Sequence, residues 1–221
     1  YHNHAPFITS NDSGLSYDLV DFLNKNSNQK YQFKLKIVPR NRLNYYLKPW
    51  IQNECGSIKK CDQDWVLLWV NHKWGFGKDS LKTFSWIELF EDENAIIYSK
   101  NKKISYENPN SLIGIKLAGI SGHKYIGIDE LVKKGKITRI NGYSEESNLK
   151  KLLKGRVDAT LLPRSTFNYY LKRDDHFSSL EKSEVSHQRY MRNIMSSSNN
   201  TELTNFLQSF NFKMVTKDYV K

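Results

Sequence analysis

The sequence predicts an α/β fold. Between Leu112 and Leu162, short apolar runs alternate with amphipathic ones of helical spacing. Glycines mark the changes, at Gly119 and Gly122, at Gly135 and at Gly155. The last run, Val157–Leu162, is continuously apolar, as in strands buried on both faces of a parallel sheet. Strands and helices alternating at these lengths imply crossover units.

Element by element, the chain begins near the end of a first strand at Tyr1-His2-Asn3-His4, and Asn11-Asp12-Ser13-Gly14 is a turn. Leu15–Asn24 is helical, because Leu15, Leu19, Phe22 and Leu23 share a face. Tyr31–Val38 alternates apolar and polar residues, the strand period. A short helix begins over Leu43–Leu47, before Pro49, and Asp64–Val70 is a buried strand followed by a loop to Asp79. Ala95–Ser99 is a further strand. Within the central stretch, Leu112–Ile120 is a strand and Ser121-Gly122-His123 a turn that opens the helix Tyr125–Lys133. Ile137–Ile140 is a strand, and Ser144–Lys154 is a helix with a capping-box-like start. Glu202–Val215 is a terminal helix with Leu203, Phe206, Leu207 and Phe210 at helical spacing.

The 221 residues suffice for one large domain or two small lobes. A net charge of +11 makes the surface basic. That charge is a lysine-rich solvated surface, a basic cleft for an anion, or a face drawn to an acidic partner or membrane surface. Nucleic-acid binding is disfavoured, because the lysines are scattered and no zinc-finger or RNA signature accompanies them. No apolar run approaches eighteen residues, so no helix is expected to span a membrane. Cys55 and Cys61 flank a polar loop, which fits a disulfide in an oxidising compartment, with two free thiols as the alternative. A metal site would need more ligands.

Leu112, Gly114, Gly119, Gly122 and Tyr125, then Leu149, Leu152 and Gly155-Arg156-Val157-Asp158-Ala159, stand in the order and spacing of a known motif. Ala5-Pro6-Phe7 with Gly14-Leu15 and Asp18-Leu19, and Phe84-Ser85, add to it. The chain resembles the family 3 extracellular solute-binding proteins, the polar amino-acid-binding receptors of ABC importers. The resemblance implies the type II periplasmic binding fold, with two hinged lobes that close on a ligand. It implies lobe one at residues 1–99 plus 190–221, lobe two at 103–187, and crossover strands near 95–102 and 188–195. It further implies an exported, monomeric protein in the periplasm or another extracytoplasmic space. The implied partners are a small ligand and an inner-membrane permease, with no metal or cofactor.

Carried over residue by residue, the family's anion-binding helix start falls on Ser121-Gly122-His123-Lys124. The family's carboxylate-binding arginine falls on Lys78, which keeps the charge but not the bidentate fork. Its ammonium-binding aspartate falls on Pro163, beside Arg164, and neither can accept an ammonium. Arg40 replaces an aromatic residue over the ligand, His4 falls where an aromatic packs on it, and Trp69, Asn71 and Trp74 fall on pocket-lining positions. The mapped lining is aromatic and cationic, which suits an acidic or modified amino-acid-like solute over a standard one. Asp158 maps to a structural aspartate. No catalytic motif is present. The alternatives are a sensor module of a signalling protein and a cleft enzyme of the cyclohexadienyl-dehydratase kind.

Overall fold

The structure is a computed structural model that describes residues 2–55 and 60–212. It divides into two compact units, one of residues up to Glu91 with those from Tyr190 onward, the other Asp92–Arg189. The divisions thus fall at 91/92 and 189/190. Residues 95–99, expected at a crossover, lie inside the second unit.

In the first unit, α1 spans Leu15–Asn26 and buries Leu15, Leu19 and Leu23. Each leucine contributes about 1.5–3 kcal/mol by leaving water. Its first N–H groups have no side-chain cap; Leu15 N–H donates to the Pro6 carbonyl and Ser16 N–H to the Phe7 carbonyl, both at 3.0 Å. Gly14 makes that approach possible: at φ 115°, a Cβ there would stand 2.7 Å from the Phe7 oxygen. Among the described residues, 2–9 form no strand where the end of a first strand was expected; they run as coil with a turn over 5–7. Residues 31–38 keep their alternating pattern, with Tyr31, Phe33 and Leu35 packed on the core, yet form no ladder. One reason is local: the Asn24 side chain takes the Phe33 N–H at 2.7 Å and donates to the Phe33 carbonyl at 3.0 Å. Helix α2, Arg40–Ile51, runs through Pro49, longer than expected. It buries Leu43, Leu47 and Trp50.

Strand β1 spans Val66–Val70, and a short α3 spans Ser80–Thr83. Strand β2 runs without interruption from Phe84 to Ser99, where only Ala95–Ser99 was expected. In strand order β7 (Gln188–Ser197) lies between β1 and β2, and it pairs antiparallel with β1. The terminal helix is Thr201–Gln208, and residues 209–211, inside the expected Glu202–Val215, lie beyond its end. Residues 213–215 of that expectation lie outside the described residues. Its start is capped by the Asn200 side chain, which accepts from Leu203 N–H at 3.0 Å. The core gathers Phe7, the α1 leucines, Trp69, Leu89, Ile194, Leu203 and Leu207.

In the second unit, β3 (Lys116–Ile120) lies parallel to β4 (Thr138–Gly142) and to β5 (Ala159–Pro163). Strand β5 also pairs antiparallel with the second half of β2, Asn94 opposite Pro163 and Tyr98 opposite Ala159. The short β6, Leu180–Lys182, lies antiparallel on β2 as well. Strand period 2 sorts the residues into two cores. Ile96, Tyr98, Leu117 and Leu161 pack with Ile128 and Leu131 of α4 (Ile128–Lys133). Ala95, Ile97, Ala118 and Leu162 pack with Leu149 and Leu152 of α5 (Glu145–Leu153) and Phe167 of α6 (Arg164–Arg173). Continuous apolar runs follow from helices on both faces. The expected capping box is present: the Ser144 hydroxyl accepts from Ser147 N–H, and the Ser147 hydroxyl accepts from Ser144 N–H. Asp158 is structural, as expected, accepting Lys116 N–H at 2.8 Å and pairing with Lys102.

Candidate functional site

The first unit carries six of the mapped residues. Trp69 does not line a surface. It is 2% exposed at φ 66°, its indole N–H donates to Ser16 at 2.8 Å, and its ring packs on Phe7 and Phe90. Asn71 is likewise buried and committed: its amide donates to the Met191 carbonyl at 2.8 Å and accepts Lys73 N–H at 3.0 Å. The Asn71 amide thus serves the backbone of β7 and of the following loop, whereas the Trp69 indole serves a side chain of α1. His4 is half-buried, edge-on to Phe7, with Nδ1 3.0 Å from the Ala5 carbonyl. Lys78 is exposed.

Arg40 and Trp74 come together. The Arg40 guanidinium donates to the Trp74 carbonyl at 2.7 Å and to Asn44 at 2.9 Å, and lies over the Phe76 ring at 4.9 Å. Position one of α2, after Pro39, aims this side chain at the 71–79 loop. The half-buried Trp74 ring meets Tyr190 at 4.9 Å. Beneath it lies a residue that motif reasoning missed. Arg192 of β7 is 1% exposed, with its guanidinium 4.5 Å from the Phe7 ring centre, 5.2 Å from Tyr190 and 5.7 Å from Trp74. It donates to the Trp69 carbonyl at 3.1 Å and to the Tyr190 hydroxyl at 3.2 Å. A planar, weakly hydrated guanidinium suits such aromatic walls where an ammonium would not. Nothing in the local sequence marks it, because β7 reads as a strand with an ordinary arginine in it.

In the second unit, the turn Ser121-Gly122-His123-Lys124 is exposed and follows β3 at its C-terminal end. It does not open a helix. Helix α4 begins at Ile128, and residues 121–127 form turns before it. Glycine in the left-handed region at 122 and again at 127 keeps the backbone from going straight into the helix. Residues 121–124 therefore have no helix N-terminus to add charge there. A different device shapes the turn. Arg139 of β4 donates to both the Ile120 and the His123 carbonyls at 2.8 Å. It also pairs with Asp129 at 2.7 Å and stacks on Tyr125 at 4.5 Å. The Tyr125 hydroxyl in turn accepts Ile120 N–H at 2.9 Å, and burial holds its phenol above the usual range, so it stays neutral. The one sequence signal was Gly119: a Cβ there would stand 2.5 Å from the Arg139 Nε, and glycine inside a strand marks such an approach.

Arg164 opens α6 and is turned toward Glu93, 3.9 Å away. Glu93 is 6% exposed and also faces Lys182 at 3.4 Å, Arg189 at 3.5 Å and the Ser186 hydroxyl at 2.6 Å. Burial alone would raise this carboxyl, but Ser186, Arg164 and Lys182 together hold it below the usual range. The adjacent Asp92, 1% exposed, accepts Ser165 N–H at 3.2 Å and the Ser165 hydroxyl at 2.7 Å. Pro163 stands at the N-cap without a side chain to offer, and Asp92 supplies the missing cap from β2. Among the described residues, no group of three or more His, Cys, Asp or Glu is placed to hold a metal. Cys55 and Cys61 are disulfide-bonded, with Cα atoms 5.4 Å apart.

No protein-family model matches the chain, and a comparison with curated protein sequences gives no match. Solved structures match along nearly its full length. The ligand-binding core of GluR0 in complex with L-glutamate aligns with a TM-score of 0.64 at 14% identity, over 99% of this chain and 95% of that one. The ancestral amino acid-binding protein AncCDT-1, a precursor of cyclohexadienyl dehydratase, aligns at 0.63 and 13%, over 99% and 92%. Holo ArgBP from T. maritima aligns at 0.59 and 16%, over 99% and 92%. The agreement covers both compact units with their intervening strands, and the chain has the type II periplasmic binding protein fold.

Proposed function

We propose that this chain is an extracytoplasmic solute-binding receptor that takes up a small, anionic, amino-acid-like ligand and delivers it to an inner-membrane ABC importer. The observation that carries the reading is the exposed 121–124 turn at the C-terminal end of a parallel strand, held from behind by Arg139. Strand C-terminal ends are where open α/β sheets bind ligands. The fold supports the reading, because the solved structures that share it include amino-acid-binding proteins. The disulfide supports an oxidising compartment. No helix among the described residues is long and apolar enough to cross a membrane.

The ligand contacts proposed in the first unit are Arg40, Trp74, Lys78 and His4. Those in the second are Ser121, Gly122, His123, Lys124 and Arg164. Beside Pro163 the two buried carboxylates are engaged elsewhere: Asp92 is used in capping α6, and Glu93 faces cations. An acid therefore fits better than a standard amino acid. The protein acts as a monomer and uses no cofactor; turnover of a cyclic diacid would instead favour the dehydratase reading.

A thermal-shift panel of amino acids, dicarboxylates, aromatic acids and phosphorylated metabolites tests this. A ligand at one hundred times its Kd stabilises by about 2.7 kcal/mol. The expected result is a hit among acids that weakens in Arg40→Ala. Hits confined to standard amino acids would overturn the acidic-ligand assignment, and silence across the panel would overturn the receptor reading.

A further inference from the structure

We infer that the solvent face of α2 is a docking surface for an anionic phospholipid bilayer. The inference does not depend on the receptor reading. Over residues 22–53 there are seven cations (Lys25, Lys30, Lys34, Lys36, Arg40, Arg42 and Lys48) and no acid. Glu202 offsets Lys30, and the Arg40 side chain is taken by the Trp74 carbonyl and Asn44. A surplus remains around α2. The helix turns Leu43, Leu47 and Trp50 inward, and leaves Arg42, Tyr45, Tyr46 and Lys48 exposed.

Two of those exposed residues are large aromatics. Tyr45 is 74% exposed and Tyr46 is 41% exposed. They form one patch with the charges: the Tyr45 and Tyr46 rings are 6.1 Å apart, and both the Lys36 ammonium and the Arg42 guanidinium lie 5.8 Å from the Tyr46 ring centre. Ile37, 43% exposed, is on the segment that leads into the helix. Tyrosine with an apolar body and a polar tip settles at the headgroup level of a bilayer, and lysine or arginine beside it meets the phosphates. Each basic side chain at an anionic surface adds attraction that salt screens. A protein partner of acidic charge is the competing occupant, and the vesicle measurement separates the two.

Co-sedimentation of the whole protein with vesicles decides the matter. One set is phosphatidylcholine alone, and the other adds about one third phosphatidylglycerol. Binding is expected only to the anionic set and should fall steeply as salt rises. Lys36→Glu/Arg42→Glu should weaken it about tenfold. Tyr45→Ser/Tyr46→Ser should weaken it about threefold and leave the salt dependence intact. All four side chains are solvent-facing, and a circular-dichroism melt checks that each variant is folded. Lys134→Glu/Lys136→Glu, in the exposed turn after α4, makes the same change in net charge elsewhere. Equal weakening by that control would assign the binding to overall charge and overturn the inference. So would equal binding to both vesicle sets. Absence of binding would overturn it too, and would leave an acidic protein as the partner of the patch.

Discussion

Arg139 concentrates more of the local geometry than any residue singled out by motif. One guanidinium ties two carbonyls, a carboxylate and an aromatic face, with its side chain 11% exposed. Lysine cannot make these contacts together, because it lacks the planar fork. Arg139→Ala removes the donor to the Ile120 and His123 carbonyls and leaves the Asp129 carboxylate only the Tyr125 N–H. It should cost about 2–4 kcal/mol in urea unfolding, and Arg139→Lys should recover less than half. Hydrogen exchange at residues 120–125 should accelerate in both variants. Unchanged exchange would mean that Tyr125 alone shapes the turn. The Ser121–Lys124 segment was legible as a turn because of its glycine, but Arg139, which holds it, was not: its partners are nineteen and sixteen positions away in sequence.

At the scale of elements, helix starts here are repeatedly capped from a distance. Carbonyls of Pro6 and Phe7 cap α1, and the Asp92 carboxylate caps α6. The second case has a measurable consequence. Asp92→Ala removes the acceptor for Ser165 N–H and its hydroxyl in a buried place, and should destabilise by about 1–2 kcal/mol or more. Asp92→Asn keeps one oxygen and should cost less than half of that. Equal losses in chemical unfolding would show that the charge rather than the cap matters. Helix α5, with its own cap at Ser144, was placed from sequence to within a residue at each end. The strand expected at 31–38 was not formed as a ladder, because an alternating pattern describes half-burial and says nothing about a pairing partner.

For the whole molecule, the half-buried His187 and the buried Glu93 contribute to how stability depends on acidity. Burial holds the His187 imidazole below the ordinary histidine value of 6.5, with Tyr106 Oη 2.7 Å from its Nδ1. Glu93 is held below the ordinary 4.5 by Ser186 and its cations, which outweigh burial. In both cases the unfolded chain takes the proton first. Stability is therefore full above pH 6.5, falls as the pH drops through 6.5 toward the folded value of His187, and falls again below 4.5 as Glu93 is protonated. Urea midpoints measured across this range should show two steps, and His187→Asn should shrink the upper one, to which His123, also held below 6.5 by burial, contributes the rest. A midpoint that is flat down to about pH 5 would rule out the histidine's part.

The sequence by itself determined the α/β class, the crossover stretch from Leu112 to Leu162, the buried face of α1 and the capped start of α5. Those depend on periodicity, caps and composition, which are local properties of the chain. Only the tertiary structure decided that Trp69 and Asn71 are buried, that α4 starts past the 121–124 turn, and that β2 is one long strand. It alone placed Arg139, Arg192, Asp92 and Glu93. The reason is physical: a buried charge or polar group is tolerated only where its partners converge, and those partners come from elements far apart along the chain.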